Sequence, residues 1–165
     1  MSPPDAVVHL VEQWRTERPD LDGSPLLVLG RILRLAALVD PLLRPPMAAA
    51  GLASGDFDVL AALRRVGAPH ALTPGELSVA MLVSTGAVTK RVDRLVARGL
   101  VTRRTDENDA RGRWVSLTPA GRSLTDRLIA EHLANEERIL AGLSHAQRSS
   151  LARLLGTLAE HVESL

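Results

Sequence analysis

The sequence has no cysteine, no tyrosine, a single lysine (Lys90) and three aromatic side chains, Trp14, Phe57 and Trp114, in 165 residues. Without cysteine there are no disulfides, no thiol redox chemistry and no thiolate-bound zinc. With so few rings, packing falls to Ala and Leu within a 45% hydrophobic composition, which suits helices laid on helices. No apolar run approaches the roughly 20 residues of a membrane span. The opening residues MSPPDAVVHLVEQW put no basic region ahead of an apolar core, so no signal peptide is expected and the chain is assigned to the cytoplasm. His9, His70, His132, His145 and His161 lack metal-ligand spacing, and no nucleophile–base pair, phosphate loop or paired carboxylates stand out. No enzyme activity, cofactor or metal is therefore expected.

What is present centres on Leu72 to Leu117. Thr73-Pro74-Gly75-Glu76 combines a capping Thr, a Pro at the first helical position and a Glu three residues after the cap, which is a capping box. Ser84 restarts the pattern as a second N-cap, Val88, Val92, Leu95 and Val96 recur at helical spacing, and Gly99 stands where a left-handed cap belongs. Two short helices about a tight turn make a helix-turn-helix. Leu100–Arg104 and Arg113–Leu117 alternate like strands around a polar tip, Thr105 to Gly112, and so predict a wing.

Charge sharpens this picture. Between Ser84 and Arg113 eight basic side chains (Lys90, Arg91, Arg94, Arg98, Arg103, Arg104, Arg111, Arg113) face four acids (Asp93, Asp106, Glu107, Asp109), in a chain whose total is only +1. A basic face of this kind is the footprint of a polyanion binder.

In chain order, Asp5 caps a first helix carrying Val8, Leu10, Val11 and Trp14 on one side. Ser24-Pro25 opens a second, kinked at Pro41 and ended by Gly51, and Ser54 to Val66 forms a third with Phe57, Leu60 and Leu63 inward. After the wing, Thr118-Pro119 caps a long helix to about Leu140, and Ser144 with Gln147 boxes the last one. That helix carries Leu151, Leu155, Leu158, Val162 and Leu165 at spacings of four and three. This stripe is either the inward face of a core helix or, with the N-terminal helices, a subunit interface. The expected architecture is mainly α with a small β-hairpin wing: N-terminal helices over 1–50, a winged helix-turn-helix over 54–117 and C-terminal dimerisation helices over 118–165.

From Phe57 to Gly121 the chain resembles the MarR family of winged-helix regulators. The carriers are Ser84-Thr85-Gly86-Ala87-Val88-Thr89, Arg91-Val92-Asp93-Arg94-Leu95, Arg98-Gly99-Leu100-Val101 and the wing pattern from Asp109 through Arg111 and Val115 to Leu117-Thr118. Trp14 and Glu17-Arg18-Pro19-Asp20-Leu21-Asp22 extend the likeness to the PecS and urate-responsive branch, which adds an N-terminal helix with a tryptophan. The resemblance implies a homodimer that represses transcription from a pseudo-palindromic DNA operator and is released by a small anionic or aromatic effector. The other reading is a winged helix used only for protein contacts.

At about 100° per residue, Val88, Val92, Leu95 and Val96 fall on one side of the second helix and Gly86, Lys90, Asp93 and Arg94 opposite, with Thr85 and Thr89 at an edge. The candidate DNA contacts are Ser84, Thr85, Gly86, Thr89, Lys90, Arg94, Arg111 and Arg113, with Arg111 at the wing tip suited to a narrow minor groove. Asp109 is either the partner of Arg111 or Arg113 or an ordinary turn residue. The branch likeness places a ligand pocket on Trp14, Asp58, Arg91 and Arg103. The same four residue types also fit a brace, with Asp58 and the arginines ion-paired and Trp14 in the core. Arg103, by strand alternation, is expected to project inward.

Overall fold

A computed structural model describes residues 5–81, 83–105 and 113–165. Their elements run α1 (Ala6–Glu17), α2 (Ser24–Leu43), α3 (Pro45–Ala49), α4 (Asp56–Arg65), β1 (Ala71–Leu72), α5 (Pro74–Met81), α6 (Thr85–Ala97), β2 (Val101–Thr105), β3 (Arg113–Leu117), α7 (Pro119–Leu140) and α8 (His145–Glu163). The strands form one antiparallel sheet in the order β1-β3-β2. Two compact units divide the chain, Met1–Arg44 and Pro45–Leu165.

In the first unit Asp5 caps α1 as its position suggests, its carboxylate accepting the Val7 amide at 3.0 Å. The buried side of α1 matches the expected one only in part: Val8 and Val11 are half-buried. Val7 is buried, and a Cβ on Gly30 of α2 would stand 3.1 Å from it, whereas Leu10 and Trp14 are exposed. Ser24 is not the cap of α2. It lies inside the helix, and the Asp22 carboxylate takes its amide at 2.9 Å and its hydroxyl at 2.8 Å. α2 contains Pro41 and stops at Leu43, so it does not reach Gly51; Pro45, which has no amide hydrogen to give the ladder, opens the separate short helix α3. No residue of α2 is buried, although Leu26, Val28, Leu29, Leu33, Leu35, Leu38 and Leu42 all belong to it.

In the second unit one aliphatic core joins Val59, Leu60 and Leu63 of α4, Leu77 of α5, Val88, Val92 and Leu95 of α6, Val101 and Val115 of the sheet and Leu128 of α7. Burying each such side chain stabilises the fold by about 1.5–3 kcal/mol before the entropy of ordering it. Phe57 lies half-buried against this core. α4 begins two residues later than its sequence pattern suggests, because Gly55 takes a left-handed conformation (φ +78°) just before it. β1 went unread in the sequence: two residues are too few to show alternation, and only pairing with β3 (Leu72 opposite Val115) makes them a strand.

The caps expected from sequence are in place. Thr73 and Glu76 exchange amide bonds at 2.7 and 3.2 Å, as a capping box should, and Ser144 and Gln147 do the same at 2.8 and 3.3 Å. The Thr73 amide and hydroxyl hold the Glu76 carboxyl below the ordinary glutamate range. That stabilisation is present at neutral pH and is lost as acid protonates Glu76. α6 closes with Gly99 left-handed (φ +65°), the Leu100 amide bonding Leu95 and the Gly99 amide bonding Val96. Thr118 then ties this end to α7: its hydroxyl donates to the Gly99 carbonyl at 2.8 Å and accepts the Gly121 amide at 3.0 Å.

Gly121 lets that junction close, because a Cβ there would sit 1.9 Å from the Leu100 carbonyl oxygen. Helix propensity favours Gly→Ala by about 1 kcal/mol, but this collision with backbone opposes it. Gly121→Ala is expected to destabilise the protein by about 1–3 kcal/mol, the usual scale of overpacking, measured by urea denaturation. A gain in stability would show that the junction is free to open.

Candidate nucleic-acid interface

α6 divides into three sectors. Val88, Val92 and Leu95 are buried; half-buried Arg91 and the exposed but paired Arg94 and Arg98 form an adjoining stripe; Thr85, Gly86, Thr89, Lys90 and Asp93 are exposed. Ser84 caps the helix, its hydroxyl accepting the Ala87 amide at 3.4 Å, and is itself exposed. Thr89 bonds back to the Thr85 carbonyl at 3.1 Å. A Cβ at Gly86 would meet nothing within 4 Å, so internal packing does not demand glycine there and its outer side is open. Val96 is 39% exposed and therefore not inward; it falls at the edge of the outer face.

The outer face adjoins the wing strands. Arg103 of β2 reaches back to Asp93 of α6 with N–O 2.6 Å, so it projects outward, contrary to the alternation argument. The pairing neutralises the one acid of the exposed sector. Arg104 is also exposed. Asp109 and Arg111, and the side chain of Arg113, lie outside the described residues.

The arginine stripe is turned toward residues 50–58. Arg91 is only 19% exposed, 3.5 Å from the Asp58 carboxylate, and its Nη1 has no hydrogen-bond partner among the described residues. Its guanidinium fills the space where a Cβ of Gly55 would be. Arg94 does not lie with Lys90 on the open face: it forks onto Asp56, Nε at 3.1 Å and Nη2 at 2.5 Å from Oδ1. That hydrogen bond outweighs burial and raises the Arg94 pKa further above its ordinary value. Arg98 donates to the carbonyls of Gly51 and Ala50, both at 2.7 Å.

Of the four residues assigned to a ligand pocket, Asp58 and Arg91 are brought together, and Arg103 is taken by Asp93 instead. Trp14 lies on α1, in the other unit, and is 51% exposed. Beside Asp58 a cavity of about 340 Å³ is lined by Phe57, Ala61, Met81, Ile129 and His132, with Arg65 at its edge. The Nδ1 of His132 is buried and without a partner among the described residues, while Nε2 meets Glu136 at 3.1 Å.

Sequence reasoning missed Asp56 and Arg98. The available signal was the spacing of Arg91, Arg94 and Arg98 by three and four, which puts them on one side of a helix.

A family model described as the MarR family matches residues 50–112. The HTH-type transcriptional regulator PecS of Dickeya dadantii is 38% identical over 156 residues, 94% of either chain. Among solved structures, a mutant of E. coli MarR complexed with operator DNA superposes with a TM-score of 0.70 at 27% identity, over 84% of this chain and 99% of that one. Bordetella bronchiseptica BpsR, whose DNA binding is regulated by 6-hydroxynicotinic acid, gives 0.69 at 27%, over 79% and 92%. With its winged helix-turn-helix and this likeness along nearly its whole length, the chain belongs to the MarR family of DNA-binding transcriptional regulators.

Proposed function

We propose that the protein is a cytoplasmic repressor that binds a pseudo-palindromic operator as a homodimer and is released by a small anionic or aromatic ligand. The observation that carries the DNA-reading part is the bare outer sector of α6 beside the wing strands. Ser84, Thr85, Gly86, Thr89 and Lys90 meet base edges and phosphates there, while Arg111 and Arg113 extend the contact along the wing. The E. coli relative seen on operator DNA supports the same use of the fold.

Two helices support the dimer. α2 and α8 each have no buried residue, yet α2 carries seven exposed large hydrophobics and α8 exposes Leu151, Leu154, Leu155 and Val162. Apolar area of that extent is covered in a stable protein, and a second copy supplies the matching surface. Two-fold symmetry then sets two recognition helices about 34 Å apart, one turn of DNA.

For the effector, Arg91 offers to a carboxylate or enolate a buried donor with no hydrogen-bond partner among the described residues, Asp58 both faces Arg91 and lines the Phe57–His132 cavity, and BpsR answers to an aromatic acid. An anion on Arg91 competes with Asp58 and disturbs the seat of α6. Arg103 joins this receptor only by leaving Asp93.

Thr89→Ala and Lys90→Ala are each expected to relax selectivity at particular base pairs by about 1–3 kcal/mol, measured by binding to a duplex selected from a random pool and its single-base variants. A uniform loss over all sequences would remove them from base reading. Leu155→Glu with Leu158→Glu should yield a monomer or an unfolded chain that no longer holds operator; a folded dimer by light scattering would place the interface elsewhere. Planar aromatic acids, urate and 6-hydroxynicotinate among them, are expected to lower operator affinity about 5–150-fold. Arg91→Ala should abolish their binding in calorimetric titration, and unchanged ligand affinity in that variant would make Asp58 and Arg91 a brace alone.

A further inference from the structure

We infer that Asp56 is a positioning residue for operator reading: acting through Arg94, it sets the seat of α6, and Arg94 and Arg98 brace that helix and do not contact DNA phosphate. This rests on α6 being the recognition helix.

Asp56 is 1% exposed. Its Oδ1 takes the fork of Arg94, and its Oδ2 accepts the Ala53 amide at 3.0 Å. If Arg94 swung out to a phosphate, a buried carboxylate would be left with a single amide donor, a strongly unfavourable state. Arg98 is equally committed, both its terminal nitrogens lying on carbonyls where α3 ends and the helix dipole is negative. Arg91 makes the third point of attachment, admitted by Gly55. One stripe of α6 thus grips residues 50–58 at three places.

Apolar contact does not serve the same purpose. The buried Val88, Val92 and Leu95 hold α6 against the core, but such contact is non-directional and tolerates a roll about the helix axis. Forked hydrogen bonds do not tolerate it. On a helix with side-chain radius of about 5–6 Å, a roll of roughly 20° carries an outer atom about 2 Å. That is more than a base contact survives, given hydrogen-bond lengths of about 2.7–3.2 Å. The angle at which Thr85, Thr89 and Lys90 meet DNA is therefore decided by groups on the far side of the Arg stripe, which never reach it.

The test compares binding to the selected duplex and to a shuffled duplex of the same length, over a range of salt, with Arg94→Lys, Arg94→Gln, Asp56→Asn and the two-site variant Asp56→Asn with Arg94→Gln. Arg94→Lys keeps the charge and loses the fork, so a brace fails where a phosphate contact survives. Expected for Arg94→Lys and Asp56→Asn alike is at least a tenfold drop in the selected-to-shuffled affinity ratio. The salt slope should stay at its wild-type value, and the two-site variant should be no worse than either single change. Wild-type selectivity in Arg94→Lys, or a slope shallower by about 0.9 in Arg94→Gln, the value for one lost phosphate contact, overturns the inference. Thermal unfolding of each variant identifies any that fail to fold, and Arg94→Lys, the mildest change, then decides. A wild-type protein with no preference for any duplex would instead count against α6 as the reader.

Discussion

A recognition helix must be held firmly and left bare at the same time, and α6 meets both demands by giving each its own sector. Val88, Val92 and Leu95 sink into the core of the second unit, while Thr85, Gly86, Thr89 and Lys90 stay open. The arginines between them convert a non-directional apolar seat into a directional one. Around this helix the other elements of the unit have defined tasks. α4 and residues 50–58 supply the anchor points, β2 supplies Arg103 to cancel Asp93, and Thr118 fastens the helix end to α7.

The economy of this arrangement explains why basic residues on a DNA-binding helix are a poor guide to DNA contact. Seven of the eight basic side chains between Ser84 and Arg113 are arginines; of the five whose side chains are described, Arg91, Arg94 and Arg98 are turned to residues 50–58 and Arg103 is paired with Asp93. A guanidinium serves either purpose, since phosphate and carboxylate present it with the same pair of acceptors. Which it meets depends on the neighbours, and Asp56, buried and short of donors, is the stronger claim on Arg94.

On the proposed reading, effector control and DNA reading would draw on the same few atoms. Arg91 belongs to the stripe that seats α6 and faces the Asp58 carboxylate, so the proposed ligand, by taking its donors, would act on the reading head without a long relay. The cavity beside Asp58 borders α4, α5 and α7, which places its contents against α5, the first helix of the helix-turn-helix.

Local chemistry was readable in the sequence because its causes are local. The capping boxes at Thr73 and Ser144, the Ser84 and Thr118 caps and the left-handed Gly99 depend on residues within a few positions of one another, and the strand pair of the wing joins neighbours in chain order. The periodicity of α6 likewise identified its buried stripe. What the sequence could not disclose were pairings set by distance along the chain. Asp56 lies 38 residues from Arg94, and β1 is a strand only because β3 lies beside it. The same gap misassigned Val96 and Arg103: the helical angle and the strand alternation say which residues share a side, but not where that side meets a neighbour. Only the packed unit decides which face is covered, which charge is already answered and which is left for DNA.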